Sequence, residues 1–247
     1  GADEVVHPVW GDGRPGSPGD TDAHTARVDF SPPTAVGATG PATKLWGESA
    51  TFDATVTGAH GEAEQFIPVE FIVTGGGSPS TTSGSATTDA AGEASFTFSN
   101  SAASSNSIHV WADLDEDGID DGGAEGADLS ITWEKHPTTT EYTGPSGGTF
   151  SDPVTFSGTL EDASLGTPLA GESIDFAVGA DGCSGTTDGT GSASCSTSLT
   201  QPGGSYSVTA GFGGSSQYDS SSDTEDFEIF KETTVTTYSG PTVIADA

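Results

Sequence analysis

A run of carboxylates with the spacing of a calcium loop lies near the middle of the chain. Aspartates stand at alternate positions, Asp113, Asp115 and Asp117, and Gly118 follows where such loops turn sharply. Carboxylate oxygens at this spacing converge on one point and are ligands that Ca²⁺ prefers. Without a cation, such carboxylates would repel each other by about 1 kcal/mol or more per pair. The spacing therefore predicts a calcium site.

The remaining predicted ligands depart from the helix-flanked form of this loop. The carbonyl of Ile119 is the expected backbone ligand, and Asp121 and Glu125 are the expected closing ligands. Position twelve is Ala124, so the closing glutamate comes one residue late. The flanks alternate apolar and polar residues, which predicts a calcium loop inside a β-hairpin. The alternative is an acidic, solvated turn in an already acidic chain.

The two cysteines, Cys183 and Cys195, are symmetric about Gly189, where residues 188–190 predict a turn. Cysteines opposite each other on a hairpin are close enough to form a disulfide. Closing this short loop would stabilise the fold by about 2–3 kcal/mol. A disulfide would indicate an oxidising compartment. The alternative is a pair of small buried residues with free thiols.

Short alternating segments must position these side chains. Apolar and polar residues alternate in segments separated by Gly, Ser, Asp and Pro, at 52–56, 69–73, 129–133, 174–178, 206–212 and 227–229. A period of two predicts strands joined by turns, and no segment has a convincing helical period. About seven short strands per hundred residues predict an all-β sandwich with one face of each sheet buried.

The chain repeats itself with a period near one hundred residues. Thr87-Thr88-Asp89 recurs 99 residues later as Thr186-Thr187-Asp188, and in both copies a glycine follows three positions after the aspartate. Tyr142-Thr143-Gly144-Pro145 recurs 96 residues later as Tyr238-Ser239-Gly240-Pro241. Such a period indicates an array of similar domains. We expect tandem sandwich domains in a string, at 31–134 and 135–230.

A further match helps to assign the ends of the chain, because Val6-His7-Pro8-Val9-Trp10 resembles the region of Trp111. Residues 1–30 resemble the last hairpin of a preceding domain, and residues 231–247 resemble the start of a following one. We therefore expect a segment of a longer protein. The alternative is an N-terminal tail and a short C-terminal extension.

The composition of the chain limits the partners that it can bind. The chain has 37 acidic and 5 basic residues and a formal net charge of −32. This charge repels phosphates and anionic lipid, so we expect no nucleic-acid partner. No apolar run is long enough to span a bilayer, so no membrane insertion is expected in this segment. The charge favours a halophilic or marine origin, the alternative being a cation-loaded surface protein from an ordinary environment.

No constellation of catalytic residues is identified, and we expect no enzymatic activity. Residues 144–148 match G-x-S-x-G but lie in a loop, whereas that motif needs a strand–turn–helix elbow and a histidine partner. A carbohydrate- or ligand-binding module is one alternative function. It would need clustered exposed aromatic residues, and the tryptophans are scattered at positions 10, 46, 111 and 133. An accessory region of a secreted hydrolase is another.

Taken together, these motifs resemble bacterial immunoglobulin-like repeats. Residues 135–230 are similar to one such repeat family along their length, including its cysteine pair. Residues 31–134 resemble the invasin and intimin type, through Thr88-Asp89, Gly92 and the stretch 110–121. The resemblance implies immunoglobulin-like β-sandwiches arranged in strings within large extracellular proteins, without catalytic residues.

The resemblance also implies a role and a place for the acidic loop. We expect a structural segment of an extracellular or cell-surface repeat protein, such as an adhesin stalk, a surface layer or a filament. Its expected partners are neighbouring copies or repeats, with surface glycans as a further class. In such a sandwich, loop 113–125 would lie where the chain enters, near residues 30–33, Glu62 and Glu64. Calcium there would stiffen the joint with a preceding domain.

Overall fold

The computed structural model describes residues 35–113, 120 and 126–240. Within them the chain forms seventeen β-strands and no helix, and therefore no helix long and apolar enough to cross a membrane. The strands build two sandwiches, one after the other along the chain, each with its own hydrophobic core.

The first sandwich contains eight strands. They are β1 (Ala35–Thr39), β2 (Thr43–Leu45), β3 (Ser49–Thr57), β4 (Pro68–Gly75), β5 (Ser83–Thr87), β6 (Glu93–Ser99), β7 (Ser104–Ala112) and β8 (Gly126–Glu134). One sheet has the order β1-β3-β6, and the other has the order β2-β8-β7-β4-β5. All neighbours are antiparallel except β2 and β8, which run parallel.

The second sandwich repeats this arrangement. Its strands are β9 (Thr138–Tyr142), β10 (Gly147–Thr149), β11 (Pro153–Asp162), β12 (Thr167–Pro168), β13 (Ser173–Val178), β14 (Asp181–Thr186), β15 (Ser192–Ser198), β16 (Gly204–Phe212) and β17 (Ser221–Phe230). One sheet holds β9, β11, β12 and β15, and the other has the order β10-β17-β16-β13-β14. Again a short strand, β10, runs parallel to the last strand of its sandwich.

The predicted all-β, immunoglobulin-like fold is confirmed by this strand order, in which three strands face five in the first sandwich and four face five in the second. The two cores draw on residues 36–133 and 142–229. The domain limits at 31, 135 and 231 stay predictions. Residues 1–34 and 241–247 lie outside the described residues, and residues 231–240 follow β17 without forming a strand.

Alternation along the strands decides which side chains enter the cores. In β3, every second residue is fully buried, namely Ala50, Phe52, Ala54 and Val56. Full burial of each larger apolar side chain contributes about 1.5–3 kcal/mol. In the second sandwich β13 buries its alternate residues in the same way. The period of two in the sequence is therefore the direct cause of the two-layer architecture.

The repeated Thr-Asp signature builds the same turn in both sandwiches. The buried Thr88 hydroxyl donates to the carbonyl of Glu64 over 2.7 Å and accepts the N–H of Ile67 over 2.9 Å. Thr187 makes the corresponding pair of bonds to the backbone of Glu172 alone, at 3.2 and 3.0 Å. The threonine thus ties the loop that enters β4 or β13 to the turn that follows β5 or β14.

The glycine of the signature is required by the backbone. Gly92 and Gly191 have φ of 74° and 75°, in the left-handed region that glycine adopts without strain. A Cβ on Gly92 would lie 2.7 Å from the carbonyl oxygen of Val56, and one on Gly191 would lie 2.5 Å from that of Leu160. Both copies therefore need glycine for conformation and for space.

A buried polar network closes the first core near its C-terminal end. Oδ1 of Asn106 accepts the indole N–H of Trp133 over 2.9 Å and the amide of Asn100 over 2.8 Å. The Asn106 amide donates in turn to the carbonyls of Thr74 and Gly76, both at 3.1 Å. These bonds satisfy a buried indole nitrogen and fix the loops at this end of the sandwich.

Candidate functional site at the joint between the sandwiches

Three residues, Lys135 to Pro137, separate the last strand of the first sandwich from the first strand of the second. A connection this short holds the two sandwiches close together. The backbone of His136 bonds to the loop between β16 and β17 of the second sandwich. Its N–H donates to the carbonyl of Gln217 over 3.0 Å, and its carbonyl accepts the N–H of Asp219 over 2.9 Å.

Trp46 is the first sandwich's main contact with the second. It follows β2, and its indole N–H donates to the carbonyl of Gln217 over 2.7 Å. Its ring centroid lies 4.9 Å from that of His136 and 5.9 Å from that of Tyr218, which it meets edge to face. Aromatic pairs in this geometry contribute about 0.5–1.5 kcal/mol beyond their burial. One side chain thus supplies both packing and a hydrogen bond across the joint.

The His136 side chain bridges the two sandwiches through its two ring nitrogens. Nε2 lies 2.9 Å from the carbonyl oxygen of Trp46. Nδ1 lies 2.6 Å from Oδ2 of Asp162 and 3.0 Å from the hydroxyl of Ser164. A backbone carbonyl and a carboxylate are both acceptors, so each ring nitrogen faces a group to which an N–H can donate.

Asp162 ends β11 in a buried position and is held by local hydrogen bonds. Burial of the carboxylate raises its pKa. The hydroxyl and N–H of Ser164 and the N–H of Leu165 donate hydrogen bonds to it, and these bonds lower the pKa. With the charge of His136, they bring the pKa below the ordinary aspartate value. The carboxylate is therefore ionised near neutral pH and presents its charge to the linker. The pKa of Tyr218 is raised mainly by burial, and the nearby charge of Asp162 raises it further.

A shallow cleft of about 680 Å³ lies beside the joint. It is lined by Leu45, Ala103, Trp133, Glu134, Lys135, Pro137 and Asp219. Trp133 is only 1% exposed, so its ring face cannot stack on a sugar from this cleft. Lys135 donates to the carbonyl of Ser215 over 2.6 Å and adds a further bond across the joint.

The tryptophans do not form the exposed cluster that a carbohydrate-binding module would need. Trp111 and Trp133 are buried, and Trp46 is half-buried in the joint. Trp10 lies outside the described residues. Within the described part of the chain, the tryptophans therefore serve the cores and the joint.

The predicted calcium loop falls mostly outside the described residues, which include only Asp113 of its six proposed ligands. Asp115, Asp117, Ile119, Asp121 and Glu125 are not among them. The buried Asp113 directly follows β7, and its N–H donates to the carbonyl of Pro68 over 2.9 Å. Within the described part of the chain, no group of three potential ligands could hold a metal ion. The calcium site stays a prediction.

Asp113 lies at the end of the first sandwich where the described chain begins. Pro68 starts β4 directly after the loop that holds Glu62 and Glu64, and at the same end Ala35 pairs with Thr57. Burial raises the pKa of Glu70 most and the charge of Asp113 raises it further, so the two carboxylates repel each other at this end. A cation at this end would relieve that repulsion, but Asp113 is the one described member of the predicted ligand set, so the fit of calcium stays a prediction.

Beside this end, His109 lies between two carboxylates on the outer face of the sheet. Nδ1 lies 2.6 Å from Oδ1 of Asp128 on the paired strand, and Nε2 lies 2.8 Å from Oδ2 of Asp120. The hydrogen bond with Asp128 and the one with Asp120 raise the pKa of His109 against the opposing effect of burial. Sequence reasoning found no role for this histidine, because the pairing of β7 with β8 brings Asp128 beside it.

Cys183 and Cys195 form a disulfide, but they do not face each other on one hairpin as predicted. The sulfurs of Cys183 and Cys195 are 2.01 Å apart, with Cα atoms 6.0 Å apart. The predicted hairpin pairing is wrong, because β14 belongs to one sheet and β15 to the facing sheet. The turn after β14 lets the chain cross the sandwich edge, so the bridge connects the two sheets.

Sequence reasoning also missed the joint. The five histidines form no metal-spaced pair, and nothing local distinguishes His136 or Asp162 from exposed residues. A usable signal was the boundary itself, where Pro137 follows a histidine between two strand patterns. A second signal was Trp46, which comes just before Gly47, because a turn between two strands usually has a polar residue at such a position.

No family model matches the sequence, and no curated protein matches it. The fold is similar to the bacterial integrin-binding protein invasin, with 16% identity and a TM-score of 0.44 over 80% of this chain and 40% of that one. The D0-D1 domains of intimin match with 18% identity and a TM-score of 0.31, over 80% and 98% of the two chains. Fibronectin(III)-like modules of Clostridium thermocellum CbhA match with 17% identity and a TM-score of 0.33, over 82% and 100%.

Proposed function

We propose that this chain is a structural spacer, a segment of a long extracellular or cell-surface repeat protein such as an adhesin stalk, a surface layer or a filament. The observation that carries the proposal is the joint. A three-residue linker, a buried His136–Asp162 pair and the Trp46 ring all join one sandwich to the next. A flexible string of domains needs none of these contacts, whereas each of them favours a fixed arrangement of the two sandwiches.

Several contacts, and not the linker alone, hold the two sandwiches together at the joint. Freely moving domains share interfaces that are small and polar, and relative motion is the default. Here an aromatic contact, a bond from Trp46 to Gln217 and a bond from His136 to Trp46 cross together. All three contacts involve Trp46, which is held by the linker and by the loop between β16 and β17. Bending or twisting the joint would break at least one buried polar contact, at a cost of about 1–3 kcal/mol.

The disulfide and the acidic surface complete the proposal. A bridge between facing sheets suits an oxidising, extracellular location. A net charge of −32 suits a protein that stays soluble in high salt, and we propose a halophilic setting. We also propose that calcium binds the loop 113–125, where it would neutralise clustered carboxylates and stiffen the entry end. Neighbouring repeats are the proposed partners.

Domain motion in solution tests the spacer function. We expect ¹⁵N relaxation to give one shared rotational correlation time for the two sandwiches. In the Trp46→Ala and His136→Ala variants, each sandwich should tumble with its own, shorter correlation time. Phe150→Ala, an aromatic truncation at the far end of the second sandwich, is the matched control and should leave the shared value unchanged. Independent tumbling of the sandwiches in the wild type would refute the proposal.

A further inference from the structure

The two sandwiches present an aromatic residue at the same place on their C-terminal ends. Trp46 follows β2, and its N–H donates to the carbonyl of Glu134 over 3.1 Å. Phe150 follows β10, and its N–H donates to the carbonyl of Phe230 over 2.9 Å. Glu134 and Phe230 are the last residues of the strands that run parallel to β2 and β10. Phe150 is therefore the structural counterpart of Trp46.

The turn after each aromatic residue confirms this correspondence. Gly47 has φ of 83° and Ser151 has φ of 66°, so both backbones enter the left-handed region. The N–H of Gly47 donates to the carbonyl of Asn100, and that of Ser151 donates to the carbonyl of Leu199. A serine held at positive φ is unusual, and it keeps Phe150 on the end of the sandwich as Gly47 keeps Trp46.

The two aromatic residues differ in what covers them. Trp46 is packed against His136 and Tyr218 of the joint. Phe150 is 36% exposed and Phe230 is 54% exposed in the described structure. The second sandwich thus ends in an apolar surface at the place where the first sandwich contacts its neighbour.

The chain that leaves this end repeats the linker of the joint. Lys231 stands where Lys135 stands, 96 residues earlier, and Tyr238 repeats Tyr142 at the same interval. The local shape repeats as well. A Cβ on Gly144 would lie 2.5 Å from the hydroxyl of Tyr142, and one on Gly240 would lie 2.3 Å from that of Tyr238. In the second sandwich, Tyr142 packs into the core from this position.

We infer that the surface formed by Phe150 and Phe230 is the docking site for a further immunoglobulin-like sandwich of this repeat, continuing from Gly240. The loop of that sandwich corresponding to 213–220 covers Phe150 as Gln217 and Tyr218 cover Trp46. The phenyl ring of Phe150 lacks the donor that the indole ring of Trp46 has, so its contact with the docking sandwich is purely apolar. The inference rests on the proposed spacer function, which it extends to a second joint.

One substitution in the repeated linker specifies the chemistry of the partner. Glu232 stands where His136 stands in the first joint. A carboxylate facing a copy of Asp162 would be repelled, at a cost that grows with burial. The docking sandwich must therefore present a basic side chain where the second sandwich has Asp162. The second joint would then pair a linker carboxylate with a basic side chain of the docking sandwich, where the first joint pairs the linker histidine with Asp162.

A chain lengthened by one sandwich tests this inference. Residues 145–230 are appended after Gly240, in register with the repeat, and Asp162 of the appended copy is changed to Lys. A second version keeps that aspartate and changes Glu232→His, which restores the pair seen in the first joint and guards against a lysine that does not fit. ¹⁵N relaxation then reports the correlation time of each of the three sandwiches.

We expect all three sandwiches to share one correlation time in at least one of these two chains. Phe150→Ala should release the appended sandwich alone, and Ile72→Ala, an exposed apolar residue on β4, should release none. A third sandwich that tumbles freely in both chains while the first joint stays rigid would overturn this inference alone. If the first joint is also loose, the spacer function fails with it. Concentration-dependent docking between chains would mean that a separate copy, not a covalent neighbour, is the occupant.

Discussion

Nδ1 of His136 lies 2.6 Å from Oδ2 of Asp162, and both side chains are buried where the linker meets the second sandwich. Through its other nitrogen, His136 also contacts the Trp46 carbonyl of the first sandwich. A single imidazole therefore fixes the linker to both of its neighbours.

Acid should weaken the joint through Asp162. A carboxylate whose pKa is lowered in the folded state stabilises that state above the ordinary aspartate pKa of about 3.9, and this contribution is lost as the pH falls through the lowered pKa. Asp162→Asn should therefore be less stable than the wild type at pH 7, and the difference should shrink below about pH 4. Urea unfolding across this pH range measures it. Asp175→Asn, an exposed residue of β13, is the control. A pH-independent difference would contradict the linkage.

Removing the disulfide should destabilise the second sandwich alone. The bridge closes a loop with a sequence separation of 12, which corresponds to about 2–3 kcal/mol of chain entropy. Calorimetry of the Cys183→Ala, Cys195→Ala variant should show a lower melting temperature for the second sandwich and no change for the first. Reduction of the wild type should give the same loss. Two titratable thiols in the purified, unreduced protein would show that the bridge does not form.

Phe66 is held in a conformation that costs stability. Its φ is 66°, and its counterpart Gly171 has φ of 84° and makes the equivalent bond to the carbonyl of Thr187. Phe66 is 73% exposed, so it gains little from burial. Phe66→Gly should stabilise the first sandwich by about 1 kcal/mol, the strain of a left-handed non-glycine residue. Gly171→Ala is the matched test and should destabilise the second sandwich. A Phe66→Gly variant less stable than the wild type would show that the ring makes a stabilising contact.

Calcium should bind the acidic loop of the first sandwich. Calorimetric titration should show saturable binding, accompanied by a higher melting temperature for the first sandwich, because bound ligand stabilises the folded state. Both effects should disappear in the Asp115→Ala, Asp117→Ala variant. They should persist in Asp175→Ala, Asp226→Ala, which removes two exposed carboxylates from the second sandwich. Weak binding that is equal in both variants would identify the loop as acidic surface.

Salt should stabilise both sandwiches. With a net charge of −32, self-repulsion opposes the compact state, and raising ionic strength from 0.1 to 1 M shortens the screening length from about 10 to about 3 Å. Melting temperatures should rise in sodium chloride at constant pH, with calcium chelated to exclude the effect of the acidic loop. Unchanged melting temperatures across this range would argue against adaptation to high salt.

The sequence alone determined the architecture because that architecture depends on local rules. Alternation with a period of two fixes which side of a strand is buried, as it does for Phe52 and Ile174. The Thr-Asp signature marks a turn whose bonds join residues close in sequence, such as Asp89 to Ala91 and Glu93. A repeated local pattern yields a repeated fold, so both sandwiches were predictable.

Only the tertiary structure determined the long-range contacts that join the two sandwiches and the two sheets. The bonds from Trp46 to Gln217 and from His136 to Trp46 connect residues 171 and 90 positions apart. The two cysteines lie on strands of facing sheets, although local symmetry placed them on one hairpin. Contacts between such distant residues depend on the order of the strands in the sheets and on how one sandwich packs against the next. A local period fixes which face of a strand is buried, but it carries no information about which distant residue that face will meet.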